Sequence, residues 1–470
     1  MIKVIKKDGT KEDFNVQKVI VAVNKSAYRA LIKFTEEDLD FICKFVEEEV
    51  QKMGVEEIRI AQMHNVVEGA LEKVNPVVAK SYRDYRNYKQ DFVQMLDEVY
   101  KKSQSIMYIG DKENSNTDSA LVSTKRSLIF NELNKELYKK FFLTVEEIQA
   151  IREGYIYIHD MSARRDTMNC CLFDVKNVLT GGFEMGNLWY NEPKSLDTAF
   201  DVIGDIVLSA ASQQYGGFTV PSVDDILEPF AEKSHKALLE KYKNLGLSEE
   251  KAHEVAWADL EKEMEQGFQG WEYKFNSVSS SRGDYPFITV TSGTNTSIYG
   301  KLATIKMLEV RKNGQGKEGH KKPVLFPKIV FLYDENLHGP GKPLEDVFEA
   351  GIECSRKTMY PDWLSLTGKG YVPSMYKRYG KIVSPMGCRA FLSPWYEKGG
   401  MNPADENDKP VFVGRFNIGA ISLHLPMIYA KAQQEGKPFF EVLDYYLNLI
   451  RKLHQRTYDY LGEMKPAGIL

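Results

Sequence analysis

The sequence has few cysteines and no long hydrophobic run, and these two shortages exclude several classes of protein. Five cysteines occur among 470 residues, too few for a disulfide-stabilised scaffold of this size. No two are spaced as Cys-x-x-Cys, so no thiolate zinc site is predicted. No stretch approaches 18 uninterrupted apolar residues, and the N-terminus MIKVIKKDGTKEDF has no apolar signal-peptide segment. We therefore expect a cytoplasmic protein without a membrane-spanning helix.

An excess of charge of one sign is also missing. Lysine and arginine total 62 against 66 aspartates and glutamates, for a net charge of −4. This balance argues against a nucleic-acid polymer as partner, although a local pocket could still bind a small anion. The apolar fraction of 43% and the charged fraction of 27% are typical of globular proteins. The length predicts two to four domains, or one large barrel with an appendage.

Residues 1–92 have the pattern of a small, mostly helical unit that begins with a β-hairpin. The dipeptide Asp8-Gly9 is a turn signal between two short apolar segments. Helical spacing of apolar residues then predicts helices over 17–33 and 58–73. Thr35 and Asp38 form a capping-box pattern that begins a further helix through Met53. Pro76 interrupts the third helix, and the segment after it begins a fourth.

The remaining chain is predicted to consist of a polar linker over 93–125 and an α/β domain over 126–470. Within that domain, long amphipathic patterns predict helices at 197–214, 223–243 and 249–266. Apolar runs at 287–291, 328–334 and 411–422 predict strands between them. Strands separated by long helices are typical of an α/β fold.

The first unit also carries a motif for binding an anion. In VIKKDGTKEDFNVQK, residues 4–18, lysines surround a turn and the start of a helix, where phosphates bind well. Charge alone favours a solvated hairpin, but the whole pattern resembles the ATP-cone, the nucleotide-sensing module of ribonucleotide reductases and of a repressor of their genes. The resemblance implies that ATP activates and dATP inhibits. It implies nucleotide contacts from Lys6, Lys7, Glu12, Asn15 and Lys18, and, by helix position, from His64 and Lys89.

The cysteines of the larger domain raise a different question. A free cysteine is most often a small buried hydrophobe, yet Cys388 lies in the glycine- and proline-containing segment SPMGCRAF, residues 384–391. Cys170 and Cys171 are adjacent in TMNCCLFDV, residues 167–175. Adjacent residues of a strand point to opposite faces, so these two are not expected to share one role.

Five segments in this order resemble the anaerobic (class III) ribonucleoside-triphosphate reductases, which are glycyl radical enzymes, over essentially the whole chain. They are TMNCCLFDV, SSSRGDYPF, YPDWLS, SPMGCRAF and GRFNIGAISLHLP. The resemblance implies a ten-stranded α/β barrel preceded by the ATP-cone. It implies anaerobic reduction of ribonucleoside triphosphates to 2′-deoxyribonucleoside triphosphates, with formate as the expected reductant. It also implies a radical-SAM iron–sulfur activating enzyme as a partner and a homodimer.

The same resemblance assigns roles to residues of the barrel. Cys388 corresponds to the family's transient thiyl radical, and Met386 lies beside it in the motif. The second active-site cysteine maps to the pair Cys170–Cys171; our interpretation favours Cys171 and leaves Cys170 open. Asn417 matches an asparagine of the formate-dependent branch. From their composition, we expect substrate phosphate or ribose contacts from Ser280, Ser281, Arg282 and Gly283.

Two features of the family have no counterpart in this sequence: a four-cysteine zinc site and a C-terminal glycyl radical loop. We therefore expect this chain alone to bind nucleotides without turnover, and a separate polypeptide could supply the radical segment. One alternative is a nucleotide-sensing regulator without catalysis, which would have no use for Cys388 and Asn417. Another is a different glycyl radical enzyme, on which an ATP-cone would not be expected.

Overall fold

The computed structural model describes residues 2–6, 9–30, 32–109, 121–165, 167–280, 283–387, 390–393 and 395–464. At helix positions 29, 88–91 and 109 only the backbone is described. The chain divides into two compact units, Met1–Lys101 and Lys102–Leu470. No described helix is long and apolar enough to cross a membrane.

The first unit packs helices against a small sheet in the order β2-β1-β3. Its elements are β1 (Lys3–Ile5), β2 (Lys11–Asp13), α1 (Val16–Arg29), α2 (Glu36–Lys52), β3 (Glu57–Arg59), α3 (Ile60–Val74) and α4 (Pro76–Ile109). The predicted hairpin is confirmed, because β1 and β2 pair antiparallel. The capping box of Thr35 and Asp38 is also confirmed: Thr35 Oγ1 accepts from the Asp38 amide at 3.1 Å, and Asp38 accepts from the Thr35 amide at 2.9 Å.

Two helix boundaries of this unit were wrong. The helix predicted to end at Lys33 ends at Arg29. The helix predicted to begin at Ile58 begins at Ile60, because residues 57–59 form β3. Ile58 is completely buried and pairs in parallel register with Val4 of β1. Since three residues are too few to show a period of two, this strand had no signal of its own in the sequence.

The linker predicted over 93–125 is helical at both ends. Helix α4 continues to Ile109, and the next helix begins at Val122; residues 110–120 lie outside the described part of the chain. The correction has a simple cause, since Val93, Leu96 and Tyr100 continue the helical spacing of apolar residues.

The larger unit alternates short strands with helices. Its elements are α5 (Val122–Phe141), α6 (Val145–Arg152), β4 (Ile156–Ile158), β5 (Cys171–Leu172), α7 (Val175–Leu179), β6 (Phe183–Met185), β7 (Leu188–Tyr190), α8 (Leu196–Ser212), β8 (Phe218–Val220), α9 (Val223–Asn244), α10 (Glu249–Ser277), β9 (Ile288–Ser292), α11 (Ile298–Asn313), β10 (Lys328–Tyr333), α12 (Glu345–Thr358), β11 (Asp362–Ser365), α13 (Tyr371–Tyr379), β12 (Trp395–Tyr396), β13 (Pro410–Val411), β14 (Arg415–Phe416), β15 (Ile421–Leu423), α14 (Leu425–Glu435) and α15 (Phe439–Gly462).

Six strands form the main sheet in the order β11-β10-β9-β8-β5-β14. The first five run parallel, and β14 joins β5 antiparallel. Phe218, Val220, Ile288 and Val290 on one face of β8 and β9 belong to the main apolar core, together with residues of α8–α12. The α/β class is thus observed, whereas a strand count of ten was not confirmed within the described residues.

The apolar run over 411–422, predicted as one strand, is three short strands. Strands β13, β14 and β15 are separated by Gly414, with φ of 70°, and Gly419, with φ of 120°. A strand cannot continue through backbone in this region. The interruption turns β15 to pair with β4 rather than with the main sheet.

Candidate active site

One face of the main sheet packs on the apolar core, and the opposite face is called here the inner face. The inner face is polar where the strands pass the segment 384–391, called here the Met-Gly-Cys loop. Side chains alternate along a strand, so Thr219 and Thr289 point away from the apolar core and lie opposite each other in the register of β8 and β9. Both are almost completely buried. The Gly387 amide donates to Thr219 Oγ1 at 3.0 Å, and Thr289 Oγ1 donates to the Gly387 carbonyl at 3.3 Å. Two inner-face threonines therefore hold the loop against the sheet.

The loop contains a narrow antiparallel bridge. The Met386 amide donates to the Ala390 carbonyl at 2.8 Å, and the Ala390 amide donates back at 3.3 Å. Met386 is completely buried, so its side chain packs inside this unit. Cys388 and Arg389 stand between the two bridged residues in the sequence and lie outside the described residues.

Gly387, the residue before Cys388, contacts Cys170. Gly387 has φ of 57°, in the left-handed region, and a Cβ atom there would lie 2.9 Å from Cys170 Sγ. Cys170 Sγ also accepts a hydrogen bond from the Gly217 amide at 3.1 Å. A Cβ on Gly216 would lie 2.6 Å from the same sulfur, and one on Gly217 would lie 2.4 Å from Gly387 Cα. Three positions without side chains thus allow the two backbone segments to meet at the Cys170 thiol.

Cys171 occupies the opposite face of β5. It is 7% exposed and belongs to the main apolar core. Burial raises the pKa of its thiol to about 12, and the neighbouring Cys170 adds to the rise. A thiol with this pKa stays protonated near neutral pH. The side of the strand that faces the Met-Gly-Cys loop carries Cys170, the alternative left open by the sequence, whereas Cys171, which our interpretation favoured, faces the apolar core.

Asn417 is fixed next to Cys170 by the pairing of β14 with β5. Its amide donates to the Cys170 carbonyl at 2.9 Å, and its carbonyl accepts from the Asn169 amide at 3.0 Å. Its side-chain Oδ1 accepts from the Gly419 amide at 3.1 Å and is 3.5 Å from the Cys170 amide. Because Oδ1 faces two backbone donors, Nδ2 is oriented away from them and, among the described contacts, is available to donate to a ligand.

The expected phosphate segment lines a cleft but is only partly described. A cleft of about 80 Å³ is lined by Ser280, Tyr215 and Gly216, among others. Ser281 and Arg282 lie outside the described residues. Gly283 packs against α5 instead, where a Cβ would lie 2.1 Å from Thr124 Oγ1. The structure therefore brings Ser280 to the cleft and Gly283 to a helix contact.

In the N-terminal unit, three of the predicted nucleotide contacts meet. Lys6 Nζ and Lys18 Nζ each lie 2.7 Å from Glu12 Oε2, and the hydrogen bonds from Lys18 and then Lys6 lower the pKa of Glu12. Lys7 and the side chain of Lys89 lie outside the described part of the chain.

The other two predicted contacts have partners of their own. Asn15 caps α1, since its Oδ1 accepts from the Gln17 amide at 2.9 Å. His64 Nδ1 lies 2.6 Å from the Tyr82 hydroxyl, which joins α3 to α4. Burial raises the pKa of Tyr82 to about 12, so this phenol stays neutral as a hydrogen-bonding partner of the histidine.

Sequence reasoning missed several residues around the Met-Gly-Cys loop and the neighbouring cleft: Thr219, Thr289, Gly216, Gly217 and Tyr215. The adjacent glycines in QQYGGFTV, immediately before β8, were the available signal, because paired glycines before a strand indicate a close backbone approach. The threonines carried no signal, since threonine is common in strands.

The fold and the site define an α/β protein whose sheet holds a cysteine-containing loop on its inner face. The family model described as anaerobic ribonucleoside-triphosphate reductase matches residues 113–470, and the ATP cone domain matches residues 2–91. The chain therefore belongs to the anaerobic ribonucleoside-triphosphate reductase family, and the predicted resemblance is confirmed.

Individual relatives agree with this assignment. The anaerobic ribonucleoside-triphosphate reductase of Haemophilus influenzae is 32% identical over 463 residues, which cover 96% of this chain and 62% of the relative. That of Enterobacteria phage T4 is 33% identical over 345 residues, covering 72% of this chain and 54% of the relative. The chain thus spans about three fifths, or less, of the length of these curated relatives.

Two further comparisons concern the fold and the first unit. A crystal structure of the anaerobic ribonucleotide reductase from Thermotoga maritima with glycerol in the active site has a TM-score of 0.54 at 16% identity, covering 81% of this chain and 62% of that one. At this identity the similarity shows the fold alone. The transcriptional repressor NrdR of Lactobacillus gasseri is 31% identical over 103 residues, covering 21% of this chain and 65% of the repressor.

Proposed function

We propose that this chain carries the substrate-binding and thiyl-bearing part of an enzyme that reduces ribonucleoside triphosphates to 2′-deoxyribonucleoside triphosphates without oxygen. The observation that carries the proposal is the contact of the Met-Gly-Cys loop with Cys170, in which Gly387 approaches the thiol too closely for any side chain. An inert pair of buried cysteines would not need three glycines around one sulfur.

The proposed chemistry assigns one step to each thiol. Cys388 as a thiyl radical takes the 3′ hydrogen atom of ribose, and Cys170 gives a hydrogen atom at the 2′ carbon as the 2′ hydroxyl leaves as water. Formate supplies the two electrons, so that substrate, formate and a proton give deoxynucleotide, carbon dioxide and water. The Asn417 side-chain amide would donate to the formate carboxylate. A glycyl radical, when present, would take the hydrogen atom of the Cys388 thiol and so leave the thiyl radical there.

Binding and orientation fall to the cleft beside Cys170. Ser280, Tyr215 and Gly216 line that cleft, and Arg282, close in sequence to Ser280, would suit the triphosphate. The described residues contain no group of three histidine, cysteine or acidic side chains able to hold a metal ion, and no step is assigned to zinc.

The N-terminal unit is proposed to regulate the reaction by binding ATP or dATP. Lys6 and Lys18 converge on Glu12 beside the N-terminus of α1, where a phosphate would interact favourably with both ammonium groups and the helix end. Bound phosphate would compete with Glu12 for the same two lysines, which gives nucleotide binding a means of rearranging this hairpin.

An anaerobic reduction assay tests the proposal. The chain would be combined with its radical-SAM activating enzyme and with a separate polypeptide carrying the family's glycyl radical segment, and CTP reduction would be measured with formate and ATP. We expect product from the wild type, none from Cys388→Ser or Cys170→Ser, and near-normal product from Cys171→Ser. Cys354→Ser is the matched control, since Cys354 is completely buried in the core on α12.

Two outcomes would contradict parts of this proposal. Loss of product in Cys171→Ser with full activity in Cys170→Ser would reverse the assignment of the two cysteines. No product from wild type, although a glycyl radical forms and ATP binds, would favour a nucleotide-sensing regulator. The similarity of the first unit to a repressor makes that the second candidate. Sedimentation of the chain with and without nucleotides would test the proposed homodimer.

A further inference from the structure

Gln214 is a buried side chain that binds the backbone beside Cys170. It is 3% exposed, follows α8 in the chain, and lines the cleft together with Tyr215 and Gly216. Its Nε2 donates to the Gly216 carbonyl at 3.1 Å and to the Gly217 carbonyl at 2.9 Å. One side-chain amide therefore holds both of the glycines that precede β8.

These hydrogen bonds set the direction of the peptide group between Gly216 and Gly217. In a trans peptide, the carbonyl and the N–H group point in opposite directions. Gln214 holds the Gly216 carbonyl on one side, and on the other side the Gly217 amide donates to Cys170 Sγ at 3.1 Å. Because a glycine stands at each end of this peptide group, no Cβ opposes its rotation. The contact from Gln214 therefore keeps the N–H directed at the sulfur.

The Cys170 thiol has a second neighbour on its other side. Its Sγ lies 3.6 Å from Asn169 Oδ1, to which the thiol can donate. The sulfur thus accepts one hydrogen bond and donates another, which fixes its position. A hydrogen bond received by sulfur also favours the thiolate over the thiol. If the peptide group turned over, a carbonyl oxygen would face the sulfur, and both effects would be lost.

Gln214 also reaches the cysteine on the opposite face of β5. Burial, and then Cys170, raises the pKa of Cys171, and hydrogen bonds from the Thr219 backbone and the Gln214 side chain offset part of that rise. The Gly217 carbonyl, which Gln214 holds, accepts from the Cys171 amide at 3.0 Å. The Gln214 amide therefore joins the glycines to the strand that carries both cysteines.

We propose that Gln214 is a positioning residue, which fixes the peptide group between Gly216 and Gly217 and so holds the Cys170 sulfur in place for hydrogen-atom transfer. This inference rests on the proposed function, because that function assigns the transfer to Cys170. Gln214 acts through the backbone and has no need to touch the substrate. The adjacent Gln213 is exposed and donates to Ser212 Oγ at 3.2 Å instead, so it provides a matched control.

The pH dependence of Cys170 alkylation measures this hydrogen bond without requiring turnover. Cys170 is partly exposed, and the full chain would be treated with iodoacetamide from about pH 6 to about pH 10. Tandem mass spectrometry separates its modification from that of Cys171. We expect the pH of half-maximal rate to rise by about one unit in Gln214→Met, whose side chain has a similar length but no donor. Gln213→Met should follow wild type.

A shorter amide tests the reach of the side chain. Gln214→Asn keeps the amide but lacks one methylene group, so it cannot hold both carbonyls, and we expect a smaller rise in the same direction. This variant replaces Gln214→Met if the latter does not fold. In the CTP assay, Gln214→Met should lower kcat about tenfold or more and change KM for CTP by less than about twofold, because the thiol is displaced while the substrate contacts remain.

Several results would overturn the inference. An alkylation profile that is the same in wild type and in both Gln214 variants would show that the residue does not control the thiol. Equal rises in Gln214→Met and Gln213→Met would show that the effect is not specific to the contacts with the glycines. A raised KM for CTP with unchanged kcat would make Gln214 a substrate-binding residue. If the profile shifts as expected but wild type forms no product, the proposed function fails, while control of the Cys170 thiol by Gln214 is supported.

Discussion

At the scale of single residues, the candidate site depends on positions that have no side chain. Gly216, Gly217 and Gly387 surround the Cys170 sulfur, and an added methyl group at any of them would overlap a neighbouring atom. Only one of the three, Gly387, also has a left-handed backbone conformation. The effect of steric overlap on stability can therefore be measured separately from the effect of a left-handed backbone.

Gly387→Ala is expected to reduce both stability and activity. A left-handed backbone costs a residue with a Cβ about 1 kcal/mol or slightly more, and overpacking against the Cys170 sulfur adds about 1–3 kcal/mol. Urea unfolding of the larger unit measures the sum, and the CTP assay measures the displacement of the loop. Gly380→Ala is the matched control, because Gly380 has φ of 63° with no atom within 4 Å of the added Cβ. Equal losses in the two variants would contradict the close contact at Gly387.

Asp224 should make stability depend on pH. Burial, and secondarily Asp225, raises the pKa of this fully buried carboxyl to about 6, above its value of about 3.9 in an unfolded chain. The folded state therefore binds this proton more tightly. The contribution of Asp224 to the free energy of unfolding is greatest below about pH 4 and is lost as pH rises through 6. The loss is on the order of 3 kcal/mol.

Urea unfolding between pH 4 and 7 measures this effect. Asp224→Asn should lack this contribution, whereas Asp201→Asn, which changes an 84% exposed side chain, should follow wild type. If the free energy of unfolding changes between pH 4 and 7 by the same amount in wild type and in Asp224→Asn, the pKa of Asp224 is not raised. Asp224 Oδ2 accepts from the Gly293 amide at 2.9 Å, so an asparagine can keep that hydrogen bond.

At the scale of elements, α6 is joined to α15 by a buried carboxylate. Glu147 completes the capping box of α6, accepting from the Thr144 amide at 2.8 Å. It also binds Arg456 of α15 through two hydrogen bonds of 3.0 and 3.1 Å. The Glu147 side chain is 1% exposed, so one residue both begins a helix and attaches it to a neighbour.

Glu147→Ala should destabilise the larger unit by about 2 kcal/mol, because the hydrogen bonds to Arg456, whose side chain is 38% exposed, and one cap bond are lost. Glu146→Ala, at an exposed position one residue earlier, should change the free energy of unfolding by less than about 0.5 kcal/mol. Chemical denaturation of both variants measures the difference. Similar values would mean that the pair with Arg456 contributes little.

At the scale of the whole molecule, the two units have separate apolar cores. A ligand that binds one folded unit stabilises that unit by mass action, by about 2.7 kcal/mol at a hundred times its dissociation constant. We expect ATP to raise the melting transition of residues 1–101 selectively, and Lys6→Ala with Lys18→Ala to remove most of that effect. Lys11→Ala, which removes a lysine paired with Glu57 on the same small sheet, is the control. Differential scanning calorimetry of the full chain measures these melting temperatures. An ATP-induced rise of the same size in wild type, in the double variant and in Lys11→Ala would contradict the prediction.

Local patterns in the sequence were sufficient for much of the fold. The hairpin at Asp8-Gly9, the capping box at Thr35 and the long helices of the larger unit were predicted because turns, caps and helical periodicity depend on residues close in the chain. The same local patterns failed at β3 and in the run over 411–422, where pairing with a distant strand or a glycine conformation decided the outcome.

The family, the order of its motifs and the candidate residues Cys388, Met386 and Asn417 could be recognised from the sequence by itself, because motifs are written in consecutive residues. Which of two adjacent cysteines faces the Met-Gly-Cys loop was decided only by the tertiary structure. A strand alternates its faces whichever way it is placed, and only the pairing of β5 with β8 and β14 sets Cys170 against Gly387 and Cys171 in the core.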